Sequence, residues 1–123
     1  MAWASGLSER IDAREAAKEA VAAARDGLGV APDLALIFAS SLYAPSYEAI
    51  ASTVSELLPE AAIAGCSAVG VIGGGREVER REALSVMLAS LPGGRAKAFH
   101  LEAMPRDDAA WARVAPPRAP SRR

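Results

Sequence analysis

Cysteine is almost missing from this chain. Cys66 is the single one among 123 residues, which excludes an internal disulfide and any cysteine-based zinc cluster. His100 is the only histidine, so a structural metal site fails on ligand count. No apolar run approaches the roughly 18–20 residues that span a bilayer. The N-terminus lacks a basic stretch followed by an apolar one, so no secretory leader is expected. A surplus of charge is missing too: the formal net charge is −1. That argues against a nucleic-acid binder, whose domains carry a clustered basic surface. The expected protein is one small domain acting in the cytoplasm, long enough for a core without disulfides or metals.

What is abundant is alanine, with 29 residues, and arginine, with twelve against two lysines. Both read as compositional bias and not as a functional signal. The small net charge also hides an asymmetry. Residues 1–75 hold four basic and nine acidic side chains, whereas residues 76–123 hold ten basic and six acidic. An acidic body and a basic end are therefore expected.

Ala2 to Leu7 reads as an edge strand. Asp12 opens a helix, with Glu15 three positions on as a capping-box partner. Ala17, Ala20, Val21, Ala24 and Leu28 follow at helical spacing, and Gly29 ends the helix. A stripe of alanine allows the helix to approach its neighbour closely. Leu34 to Ala39 is a continuous apolar run between turn signals, the pattern of a strand covered on both faces. Ser40, Ser41 and Tyr43 form a polar cluster. Ser46 then N-caps a second helix, whose Tyr47, Ile50, Ala51, Val54, Leu57 and Leu58 trace one face until Pro59 stops it. Ala61 to Ala64 is a short buried strand leading into a glycine-rich run, 65–75. Arg76 to Glu82 reads as a solvated, self-neutralising charge run. Ala83–Leu91 alternates as a strand, and a hairpin partner is expected over Ala96–Glu102 after the Pro92-Gly93-Gly94 turn. The fold class is α/β, a mixed sheet with two helices ordered strand, helix, strand, helix, strand, then hairpin. Residues 105–123, rich in proline and arginine, are expected to be a disordered tail. Its arginines supply only weak, salt-sensitive attraction for nucleic acid.

The glycine run does not carry nucleotide chemistry. Gly65 and Gly70 have phosphate-loop spacing, but Val71 and Ile72 stand where lysine and a hydroxyl residue are required. Gly73 and Gly75 start a dinucleotide fingerprint, and Val78 replaces its third glycine. Position is more informative. Parallel strands at 34–39 and 61–64 would end on one sheet edge, where open α/β sheets bind ligands. Ser40, Ser41 and Tyr43 would line one side of that crevice, and Cys66 and Ser67 the other. Hydroxyls and glycine-exposed amides suit a small polar or anionic molecule. The same residues equally suit ordinary turns and a buried small cysteine. Cys66 and His100 have the chemistry of a nucleophile and base, oriented by Glu77, Glu79 or Glu102, yet nothing in the spacing brings them together. His100 alone has the chemistry of a haem ligand, since haem needs only one protein ligand. A hydrogen-bonded strand histidine is the simpler account.

Pro32 to Ser40, then Gly65-Cys66-Ser67-Ala68-Val69-Gly70-Val71-Ile72-Gly73 and Glu77-Val78-Glu79, resembles the FIST N-terminal domain. The alanine-rich helix at 12–28, the strand Ala83 to Leu88 and the Phe99-His100-Leu101 strand are placed as in that family. The resemblance covers about residues 2–104. It implies a sensory module of bacterial signal transduction that binds a small ligand such as an amino acid and is not an enzyme. It places the ligand region at Gly65, Cys66, Ser67, Gly70, Gly73 and Glu77. Some relatives bind haem and report nitric oxide to histidine kinases, which makes His100 the haem candidate and a histidine kinase or other signalling protein the expected partner. A eukaryotic relative recognises substrates for a ubiquitin ligase, so a protein-interaction module is the further alternative. Such proteins continue into a second, C-terminal FIST domain. Residues 1–104 are accordingly read as a partial FIST N-terminal-like domain with the C-terminal one absent. An incomplete sheet exposes an edge strand and apolar surface, which fits a homodimer.

Overall fold

In the computed structural model, which describes residues 1–114, the local signals around the first helix act as their chemistry requires. Strand β1 spans Ala2–Ser8 and helix α1 spans Ala13–Leu28. The Asp12 carboxylate accepts the Glu15 amide at 2.9 Å, meeting one of the free donors of the first turn. The reciprocal half of a capping box does not form, because the Glu15 carboxylate pairs with Lys18 at 2.9 Å. Gly29 closes the helix at φ 71°, with its amide on the Arg25 carbonyl. Ala16, Ala17, Ala20 and Ala24 are fully buried, and this stripe lies against β1.

Strand β2 (Leu34–Ser40) leads through a 3-10 turn, Ser41–Ser46, into helix α2 (Tyr47–Leu57). Ser46 makes no capping bond, because the turn runs straight into the helix and leaves no free end to cap. Strand β3 (Ala62–Ala68) returns parallel to β2, and β6 (Leu84–Ser90) inserts antiparallel between β1 and β2. The sheet order is thus β1-β6-β2-β3, a mixed α/β arrangement as expected. Both helices cover one face, over Ala35, Ile37, Ala39, Leu84, Val86 and Leu88.

Five expectations need correction. The hairpin of 83–91 with 96–102 does not form, since both edges of β6 are taken by β1 and β2. Residues 94–100 have no regular structure. The charge run is not simply solvated: Arg76–Glu79 is strand β5, paired antiparallel with β4 (Gly70–Gly73). Gly74 and Gly75 join the two at φ 55° and 75°, the two left-handed residues of a tight hairpin turn. Arg76 and Arg81 both reach Glu9, at 2.8 and 2.5 Å, and do not neutralise their own neighbours. The hairpin packs on the sheet face opposite the helices, through Val71, Val78, Leu7, Ala83 and Phe38. Because it covers only one end, Leu34 and Leu36 stay half-buried, so β2 is not fully covered on both faces. Nor is β3 a buried strand: it is the sheet edge, and Ala64 to Ser67 are exposed. Finally, Asp108–Val114 form a short helix, α3, with the Ala110 amide on the Asp107 carboxylate at 2.8 Å. The disorder expected from residue 105 therefore does not hold there, and 115–123 lie outside the described residues.

Candidate functional site

Helix α2 is tied to α1 and stands away from β3. Arg14 donates to the Thr53 hydroxyl at 3.2 Å, and Arg25 to the Leu57 carbonyl at 3.3 Å. Ile50 and Val54 bury their side chains, leaving Ala51 exposed on the β3 side. The gap is an open groove of about 310 Å³, at the small end of the roughly 300–1,000 Å³ usual for ligand pockets. Ile37 and Ala39 form its floor, Tyr47, Ile50 and Ala51 one wall, and Ile63 to Ser67 the other. The Tyr47 hydroxyl donates to the Ser40 carbonyl at 3.2 Å, which holds the ring at the groove's upper end.

Gly65, Cys66 and Ser67 line this groove, which runs along the middle of β2 and β3 and not beyond their carboxyl ends, where the crevice was expected. Other expected residues lie elsewhere. Ser40 is 3% exposed and touches the groove only through its carbonyl; its hydroxyl has no partner among the described residues. Ser41 is exposed at the start of the 3-10 turn. Tyr43 points away, donating its hydroxyl to the Arg10 carbonyl, so it locks the β1–α1 connection and not a ligand. Gly70, Gly73 and Glu77 sit in the β4–β5 hairpin, outside the groove lining. There Gly73 allows close packing: a Cβ would lie 2.8 Å from the Ser85 hydroxyl.

Burial, aided by Glu82 and Asp12, pushes the Tyr43 phenol up from 10.0 to about 12. The folded state thus favours the neutral phenol. Its contribution to stability is complete below pH 10 and is lost as pH rises from there through about 12. Ultraviolet titration should show one tyrosine ionising late, and urea unfolding should show stability falling from pH 10 upward. The Tyr43→Phe variant should lose both the late step and that part of the fall.

His100 lies exposed in the irregular segment and is not among the groove's lining residues. It has no buried apolar face beside it to take a porphyrin, so the residues present do not fit haem. It also does not share the groove with Cys66, whose thiol is exposed, and the nucleophile–base arrangement is not assembled there. Among the described residues no group of three histidine, cysteine or acidic side chains is placed to hold a metal ion. No helix among them is long and apolar enough to cross a membrane.

Sequence reasoning missed Tyr47, Ile50, Ala51 and Ile63 as groove residues because their spacing marks them equally well as core. One readable signal was available. Residues 26–75 contain no lysine, arginine or histidine, only Asp26, Asp33, Glu48, Glu56 and Glu60. Every element lining the groove falls inside that stretch.

Comparison with known proteins gives a consistent family. The model of the FIST N domain matches residues 33–116. An uncharacterized protein of Mycobacterium tuberculosis, found in strains CDC 1551 and H37Rv, is 38% identical over 98 residues, 79% of this chain and 25% of its own length. A second uncharacterized protein, from Mycobacterium bovis, is 37% identical over the same share. The chain spans about a quarter of the length of the curated relatives it matches.

Proposed function

Because this chain belongs to the FIST N domain family, whose members are sensory domains of signal transduction, we propose that it receives a small ligand in the groove between α2 and β3. The observation that carries this reading is the groove itself. It is open, about 310 Å³, and lies on the sheet face between α2 and the edge strand β3. Its walls are mostly apolar, with the Tyr47 and Ser67 hydroxyls and the free edge of β3 as the polar groups. None of the lining residues carries a charge, so an anion would find no counter-charge in the lining itself. A neutral or cationic molecule with an apolar body is the better match, such as an amino-acid amide or a small amine. The role in this reading is binding without catalysis, in a bacterial cytoplasm, with a histidine kinase or other signalling protein reading the occupied state.

Thermal-shift measurements on the full chain test this with amino acids, their amides and the corresponding amines. At about 100 times the dissociation constant, a ligand stabilises by about 2.7 kcal/mol, a shift of several degrees. Amides or amines should produce it, plain carboxylates should not, and Ala51→Trp, which fills the groove from an exposed position, should abolish it. A flat response across the panel from folded protein would refute the reading.

A further inference from the structure

The outer edge of β3 specifies a partner. The Ala62 amide donates to the Asp33 carbonyl at 3.0 Å, which sets the phase of the parallel ladder with β2. Residues 62, 64, 66 and 68 bond inward, and the amides and carbonyls of Ile63, Gly65 and Ser67 turn outward, with no strand beyond them among the described residues. Exposed edges are usually blunted by lysine, proline or a bulge. The Ala62–Ala68 strand has neither proline nor any charged residue. From residue 26 to residue 75, the stretch that contains β2, α2 and β3, the only charged side chains are carboxylates. The edge therefore fits an extended strand of small and apolar residues that carries positive charge.

This chain contains a segment with that pattern. Arg95-Ala96-Lys97-Ala98-Phe99-His100-Leu101 alternates like a strand and carries two firm cations. It has no regular pairing, and Phe99 is 53% exposed. Gly94 and Arg95 line a shallow depression together with Met1, next to β1, at the opposite edge of the sheet from β3. We propose that the β3 edge takes the Arg95–Leu101 segment of a second copy of this chain as a fifth strand. That strand pairs with the outward groups of Ile63, Gly65 and Ser67, brings Arg95 and Lys97 to the acidic side, and closes the open flank of the groove. Reciprocal exchange makes a closed dimer, whereas one-way addition makes longer chains.

Sedimentation of the ligand-free full chain over a concentration series tests this independently of any ligand. Self-association is expected, weakening as salt rises. The Arg95→Glu/Lys97→Glu variant should weaken it by roughly tenfold or more. For position, Cys66→Ser protein with a cysteine introduced at residue 96, 98 or 100 is mixed with wild type under mild oxidation. A disulfide between Cys66 of one copy and the introduced cysteine of the other is expected, because neighbouring strands hold facing Cβ atoms about 4.5–5.5 Å apart. A monomer at every concentration would overturn the proposal. So would association indifferent to the charge reversal, or cross-links confined to Cys66–Cys66 pairs. A variant with both Cys66 and the introduced cysteine that closes its disulfide within one molecule would overturn it as well.

Discussion

Replacing Gly6 by alanine is expected to be the most damaging small substitution in the chain. A Cβ at this position would lie 2.1 Å from the Ala20 carbonyl oxygen, 2.8 Å from the Ala24 amide and 2.9 Å from the Ala23 methyl. Two of these neighbours are helix backbone and cannot rotate aside. Helix α1 would have to lift from β1, and its fully buried alanines would lose their contacts together. Overpacking of a tight core costs about 1–3 kcal/mol, occasionally more, and the rigid neighbours place Gly6→Ala at the upper end. At roughly 4–8 °C per kcal/mol for a domain of this size, the melting temperature should fall by more than roughly 10 °C. Ser5→Ala is the control. Its hydroxyl accepts only the Gly74 amide, at 3.1 Å, so its loss should cost about 1 kcal/mol or less. Equal effects from the two variants would show that the helix–strand contact is not the constraint.

Gly65→Ala should have the second-largest effect, and a more local one. A Cβ here would meet the Ile37 carbonyl oxygen at 2.3 Å and the Ile37 Cβ at 3.0 Å. The strand that must yield is the sheet edge, so β3 moves away from β2 while β1, β6 and α1 keep their packing. A loss of about 2 kcal/mol is expected. Hydrogen exchange gives the sharper readout. The Ala64 and Cys66 amides, which face β2, should lose protection, while those of Leu84 to Leu88 in the central strand keep theirs. Ligand binding and self-association should fall together, since both use β3. Full protection at Ala64 in the variant would contradict the close approach. The result also separates two meanings of Gly65, which the family resemblance places in the ligand region and the structure uses as a strand-packing residue.

The elements that the sequence by itself determined are those with purely local causes. The Asp12 carboxylate and Gly29 bound α1 because capping involves only adjacent residues. The alanine stripe announces a close-packed helix, and the apolar run at 34–39 and the alternation of Leu84, Val86 and Leu88 mark strands by their own pattern. The motif at 65–73 is a local pattern inside the stretch that matches the FIST N domain. Pairing was decided by tertiary structure alone. The 83–91 strand and its apparent partner at 96–102 have ideal alternation and a turn between them, yet β1 and β2 claim both edges of β6. Alternation states which side chains face one way but not which strand lies alongside. The β4–β5 hairpin was legible in principle, from two glycines between Val71 and Val78, but its charges masked it. The site divides in the same way. Ser67 and Cys66 can be placed near the end of β3 from sequence because a strand's carboxyl end is a local position, and both line the groove. Tyr43 was misplaced because its hydroxyl turns toward Arg10, 33 residues away. The groove exists because α2 leans on α1, a choice made by contacts between distant segments that no window of sequence contains.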